Sequence, residues 1–123
     1  MSMTTINKVI ERVDAVKPNT FDEEMKTAWL AQLDGMIQKI VMQKDELIEY
    51  KYPEDMDREL LVPFPFEDIY VLWLTSKIDF QNQDYDEYNN SAEAFNNVFS
   101  DFKKAYIREH MPKQAAEKGY WGW

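Results

Sequence analysis

The sequence predicts an all-α domain, built as a small bundle of about four helices. Its 123 residues are 45% hydrophobic and 30% charged, which provides enough apolar surface for one core. Apolar residues recur every three or four positions along four segments, which is the period of a helix face. Between the second and third segments this period fails, and we expect a long acidic loop or a short β-hairpin there.

The first helix has a capping residue at its start and a proline that ends it. Either Thr4 or Thr5 can cap its start, and Pro18 ends it because the proline ring cannot continue the helical turn. The apolar residues that we expect to form its buried stripe are Ile6, Val9, Ile10, Val13 and Val16.

The second helix opens with a capping-box pattern, in which Thr20 and Glu23 can satisfy each other's backbone donors. Its predicted buried stripe is Met25, Ala28, Trp29, Gln32 or Leu33, Met36, Ile37, Ile40 and Val41. Gly35 interrupts this helix at a cost of about 1 kcal/mol relative to alanine. We therefore expect a neighbouring helix to approach closely at Gly35.

The third helix is predicted over residues 66–82, with Pro65 in its first turn. It is apolar on nearly all sides between residues 69 and 74, so we expect it to be the central and most buried element. The fourth helix begins near Asp84 or Asp86 and extends to about Arg108. Its aromatic stripe has a coiled-coil period and contains Tyr88, Ala92, Phe95, Phe99, Phe102 and Tyr106.

Negative charge is concentrated between helices two and three. The whole chain carries −9, and residues 44–68 contribute −6 of this through nine acidic and three basic residues. Ile48, Tyr50 and Tyr52 alternate with polar residues as in a half-buried strand, so a hairpin and an ordered loop are equal alternatives. A solvated loop is the ordinary interpretation of such a charge run, whereas a functional one requires a phosphate to repel or a basic partner to attract.

Composition argues against most enzymes and against several binding functions. The chain has no cysteine and one histidine, His110, and it contains no glycine-rich phosphate loop. We find no carboxylate within an apolar face, so we expect no catalytic site, no metal and no cofactor. A pI near 4.6 disfavours nucleic-acid binding, and the longest apolar run, residues 69–74, is too short to span a membrane. No secretory signal is visible at the start of the sequence.

Aromatic residues are also placed where a monomer core does not require them. Phe64 and Phe66 lie in a segment that contains Pro63 and Pro65, and Tyr120, Trp121 and Trp123 lie beyond Pro112. Tryptophan and tyrosine contribute much of the energy of protein interfaces, so we predict that these five side chains bind a partner. We divide the chain into a helical domain, 1–112, and a flexible aromatic tail, 113–123. A tail that is simply loose, or that folds back on its own bundle, is the alternative.

An ordered set of short motifs resembles a known family. The set consists of Leu60-Leu61-Val62-Pro63, the apolar helix that follows it, Tyr88-Asn89-Asn90-Ser91, the aromatic helix, and Arg108-Glu109-His110-Met111-Pro112. In this order and across most of the chain, these motifs resemble the head-tail connector (adaptor) proteins of long-tailed phages and prophages.

The resemblance implies an all-helical structural subunit that is made in the bacterial host cytoplasm and then located in the virion. It implies a ring that docks under the portal protein, contacts a tail-completion protein and lets DNA pass without specific binding. In such a ring, the tail would be an arm to the portal, anchored by Tyr120, Trp121 and Trp123. The acidic residues that we would place at the lumen or at the lower face of the ring are Asp45, Glu46, Glu49, Glu54, Asp55, Asp57 and Glu59.

Two other functions remain open from the sequence. An acidic helical interaction module, such as a DNA mimic or an inhibitor of a nucleic-acid enzyme, would use the same charge as a decoy for phosphate. The concentration of acidic residues in one loop, rather than along one helix, favours the ring. A small enzyme whose site leaves no motif is the weakest alternative.

Overall fold

The computed structural model describes residues 4–110, which contain four α-helices and no β-strand. The helices are α1 (Ile6–Val16), α2 (Glu23–Met36), α3 (Asp68–Gln81) and α4 (Tyr85–His110), and a π-helical turn (Ile37–Val41) continues α2. The predicted all-α bundle is therefore confirmed. The predicted tail, 113–123, lies outside the described residues.

The helix ends follow the sequence with one clear exception. The Thr5 hydroxyl accepts a hydrogen bond from the Lys8 amide and caps α1, and the helix stops just before Pro18. In α2 the cap is Asp22, whose carboxylate accepts from the Met25 amide at 2.8 Å. The capping box predicted for Thr20 is therefore wrong, because a carboxylate two residues later satisfies the exposed amide instead.

Helix α3 is the central element, as its composition predicts. It packs against α1, α2 and α4. Ile69, Tyr70, Leu74 and Ile78 are completely buried along it. The helix begins at Asp68, two residues later than predicted, because residues 63–66 form a turn in which the Phe66 amide donates to the Pro63 carbonyl.

The buried face of α2 differs from the predicted stripe. Leu33, Ile37 and Val41 are buried as expected, but Met25 and Ile40 are 44% and 53% exposed. The face that packs inward instead carries four buried polar residues along α2 and the π-helical turn, Lys26, Thr27, Asp34 and Gln38. Each of these four side chains has a specific partner, which offsets the cost of removing it from water.

Gly35 and Val16 also differ from expectation. Among residues 4–110, nothing lies within 4 Å of a Cβ atom added at Gly35, so no helix of this range approaches it closely and that prediction is wrong. Val16, the last residue of the predicted α1 stripe, is 77% exposed. The bundle covers α1 only as far as Val13, which is completely buried.

Helix α4 packs on α3 and on the π-helical turn. Of its predicted aromatic stripe only Phe102 is buried, and the ring of Phe102 lies 5.8 Å from that of Phe66. Phe95, Phe99 and Tyr106 are half-buried against the core. The stripe therefore covers one side of the bundle without being enclosed itself.

The segment between the π-helical turn and α3 is an irregular chain of bends and turns. Its one bridge joins Thr5 to Glu59, and the Leu60 amide donates to the Thr4 carbonyl at 2.9 Å. No hairpin forms here within residues 4–110, because the loop backbone pairs with the start of α1 and with a side chain of the π-helical turn.

Candidate functional site

The acidic loop (residues 44–68) presents its carboxylates outward. Six of the seven predicted lumen residues are exposed, and Asp55 is half-buried, with its carboxylate accepting from the Lys51 amide at 2.8 Å. The exposed six are Asp45, Glu46, Glu49, Glu54, Asp57 and Glu59. Between them, Tyr50, Met56 and Leu60 turn inward and are buried in the core. These buried side chains therefore fix the loop to the core, and its carboxylates face solvent.

A buried carboxylate provides the main anchor of this loop. Asp34 is completely buried and accepts hydrogen bonds from the hydroxyls of Tyr50 and Tyr70 at 2.7 and 2.6 Å. The Tyr70 hydroxyl in turn accepts from the Val62 amide at 2.8 Å. One side chain of α2 thus joins the middle of the acidic loop to α3 and, through Tyr70, to the end of the loop.

Burial raises the pKa of Asp34, and the hydrogen bonds from the Tyr70 and Tyr50 hydroxyls offset part of that rise. Burial and the Asp34 carboxylate likewise raise the pKa values of Tyr50 and Tyr70. Our expectation that no carboxylate lies within an apolar face is therefore wrong. A signal was present, because Asp34 follows Leu30 by four positions and precedes Ile37 by three, which is the spacing of one helix face.

A second anchor acts at the start of the acidic loop. The side-chain oxygen of Gln38 accepts from the Ile48 amide at 2.6 Å, and its amide nitrogen donates to the Ile48 carbonyl at 3.0 Å. Gln38 thus pairs with both backbone groups of one loop residue, as a neighbouring strand would. This pairing explains why the alternating segment around Ile48 needs no second strand.

Asp79 is a second buried carboxylate, in the last turn of α3. It accepts from the Lys17 ammonium at 2.7 Å and from the Ser91 hydroxyl at 3.0 Å. The hydrogen bond to Asp79 raises the pKa of Lys17. Asp79 joins α1, α3 and α4, so its role is to hold the bundle together.

The two described aromatic candidates line one cavity, which we call the aromatic groove. It has a volume of about 260 Å³ and lies between residues 63–66 and the second half of α4. Phe64 is 57% exposed on it, and Phe66 is half-buried between the groove and the core. The α4 residues on the opposite side are Phe102, Ala105, Tyr106, Glu109 and His110. Tyr120, Trp121 and Trp123 lie outside the described residues.

A second cavity, of about 390 Å³, lies between α2 and the acidic loop. Glu49 and Glu54 from the loop line it together with Glu24 from α2. Lys51 and the half-exposed Tyr52 complete this polar side of the loop. Two of the predicted lumen residues therefore share one acidic concavity.

Within residues 4–110, no cluster of three or more acidic or histidine side chains is arranged to hold a metal ion. No helix in that range is long and apolar enough to cross a membrane. His110 closes α4, where its ring stacks on Tyr106 and its Nδ1 lies 2.9 Å from the Tyr106 carbonyl oxygen. Comparison of the chain with protein-family models, curated proteins and solved structures gives no match.

Proposed function

We propose that this chain is a structural subunit of a phage particle, a head-tail connector (adaptor) that docks in a ring under the portal protein. DNA passes through the centre of that ring without specific binding, and a tail-completion protein lies on the far side. The role requires neither catalysis nor a cofactor. The order of sequence motifs supports the proposal, together with the two surfaces described above.

The observation that supports this proposal best is the anchored acidic loop. Six exposed carboxylates are carried on a backbone that Asp34 and Gln38 fix to the core. A fixed negative surface repels the phosphates of DNA at every approach, so a duplex slides past it rather than sticking. We therefore place this loop at the lumen of the ring.

The aromatic groove supports assembly. It is lined mostly by apolar side chains and lies between residues 63–66 and α4, whereas residues 45–59 present their carboxylates to solvent. Neighbouring subunits in a closed ring contact each other through unlike surfaces, and the groove offers one such surface away from the lumen. Phe64, at 57% exposure, provides an apolar anchor for a neighbour or for the portal.

Co-assembly tests the proposal directly. The purified chain is mixed with the portal protein encoded beside it, and the product is examined by electron microscopy. An added ring under the portal is the expected result, with the acidic loop at its lumen. Absence of any association with the portal would contradict the adaptor role.

The proposed place of the acidic loop beside the DNA path can be tested with one variant and a matched control. The triple variant Glu46→Gln, Glu49→Gln and Glu54→Gln removes three exposed charges from the acidic loop. The control Glu11→Gln, Glu93→Gln and Asp101→Asn removes three exposed charges elsewhere. We expect assembled rings of the loop variant to retain DNA more strongly at low salt than control rings. Equal retention would place the loop away from the DNA path.

A DNA mimic is the second candidate, and the same acidic loop favours it. A mimic acts as a monomer or dimer and spreads carboxylates at phosphate-like spacing on one face. The mimic would be supported if the wild type and the control variant inhibit a DNA-binding enzyme and the loop variant does not. That result combined with no portal association would replace the adaptor proposal.

A further inference from the structure

We propose that the aromatic groove is the docking site for residues 111–123 of the same chain, with the aromatic side chains of Tyr120, Trp121 and Trp123 as the inserted groups. The inference does not depend on the adaptor function. It rests on the shape and chemistry of the groove, on the position of His110 and on the sequence that follows it.

The groove is an open apolar surface beside the core. Phe64 and Phe66 come from a Pro-Phe-Pro-Phe stretch in which neither proline has a backbone N–H to hydrate. Phe66 rests on Phe102, whereas Phe64 is 57% exposed over a cavity of about 260 Å³. An exposed phenylalanine beside a mostly apolar cavity is stabilised by an aromatic side chain that covers it.

The chain leaves the described structure at this cavity. His110, the last residue of α4, lines the groove, and Trp121 follows it by 11 positions. An extended segment of that length spans about 36–40 Å, which is ample for a return to a cavity beside its own starting point. The entropic cost of closing a loop rises only slowly with its length. Because the segment is tethered to the end of α4, its effective concentration at the groove is in the millimolar range.

Composition and charge favour this occupant. Three of the thirteen residues 111–123 are aromatic, and Gly119 and Gly122 between them leave the backbone free to turn each ring toward the groove. The chain's −9 divides into +1 for residues 111–123 and −10 for residues 1–110. The lysines of this segment are therefore attracted to the acidic body, and Glu109 lies in the groove itself.

Fluorine NMR of the full chain labelled with 5-fluorotryptophan tests this proposal. The four resonances are assigned with single Trp→Phe variants, and solvent exposure is measured with a soluble paramagnetic agent. We expect the Trp121 or Trp123 resonance to be protected in the wild type and to become several-fold more accessible in Phe64→Ala. The matched control is Phe80→Ala, which removes a phenylalanine of similar exposure, 49%, outside the groove.

Three results would overturn the proposal. The first is full exposure of both tail tryptophans in the wild type. The second is equal protection in wild type and Phe64→Ala. The third is protection that disappears on 100-fold dilution, which would assign the groove to the tail of a second copy. Because Phe64 is largely exposed, its substitution preserves the fold, and the dispersed spectrum of Trp29 and Trp73 verifies this in each sample.

Portal addition separates this inference from the adaptor proposal. If the tail docks in its own groove and also reaches the portal, added portal should release the protected resonance. Protection in the free chain that is unaffected by a bound portal supports the groove assignment and contradicts the role of the tail as an arm to the portal.

Discussion

At the scale of single residues, the buried Asp34 joins α2 to the acidic loop and to α3. Its substitution by alanine removes the acceptor of two buried tyrosine hydroxyls. We expect Asp34→Ala to lower the free energy of unfolding by about 2–4 kcal/mol, because each orphaned buried group costs about 1–3 kcal/mol. Chemical denaturation measures this change. Asp45→Ala, at an exposed carboxylate, should stay within about 0.5 kcal/mol of the wild type.

The same residue makes stability depend on pH. Burial raises the pKa of Asp34 in the folded state, so the folded chain holds that proton to a higher pH than the unfolded chain, whose aspartates titrate near about 3.9. The stabilisation of the fold that comes from this pKa difference is complete below about pH 4, and it is lost as the pH rises through the raised pKa of Asp34 in the folded chain. The stability difference between wild type and Asp34→Asn should therefore shrink across that window in denaturation series. A constant difference would show that the two states titrate alike.

Two ion pairs of α1 should differ in energetic value. Lys17 pairs with Asp79, whose side chain is 3% exposed, whereas Arg12 pairs with Asp68, and both of those side chains are more than half exposed. Lys17→Ala leaves a buried carboxylate with Ser91 as its remaining side-chain partner, so we expect a loss of about 2 kcal/mol. Arg12→Ala should cost less than about 0.5 kcal/mol. Equal losses in thermal unfolding would contradict this assignment.

At the scale of elements, α2 contains a position that can be improved. Gly35 lies inside the helix, and a Cβ atom there would meet nothing within 4 Å. We expect Gly35→Ala to raise the free energy of unfolding by about 0.5–1 kcal/mol, because alanine loses less backbone entropy than glycine in a helix. Ala28→Gly, in the same helix, is the matched reverse change and should destabilise by a similar amount. Destabilisation by Gly35→Ala would reveal a contact made only in an assembly.

The elements also show where a periodic pattern is informative. Helix α3 was correctly predicted as central because it is apolar on nearly every side, so no choice of face was needed. Helix α2 required such a choice, and a stripe chosen by hydrophobicity alone placed Met25 and Ile40 inside. The true face includes Asp34 and Gln38, whose burial depends on partners 10 to 36 residues away.

At the scale of the whole molecule, net charge sets the response to salt. A chain of −9 repels itself in the compact state, and this repulsion is screened as the Debye length falls from about 30 Å at 0.01 M salt to about 8 Å at 0.15 M. We expect the Tm to rise by several degrees over this range. The loop variant Glu46→Gln, Glu49→Gln and Glu54→Gln should have a higher Tm than the wild type at the lowest salt concentration, and its Tm should rise less as salt is added. A Tm that is independent of salt would mean that self-repulsion is already compensated.

The sequence by itself determined the helix content, a threonine cap at residue 4 or 5, the stop before Pro18 and the central place of α3. These features depend on dihedral preferences, capping and apolar period, which act over a few neighbouring residues. Tertiary structure alone decided that Asp34 and Gln38 hold the acidic loop and that Phe64 and α4 share a groove. The residues that form these contacts are far apart in the sequence, and no local pattern encodes which distant partner will satisfy a buried polar group or border a cavity.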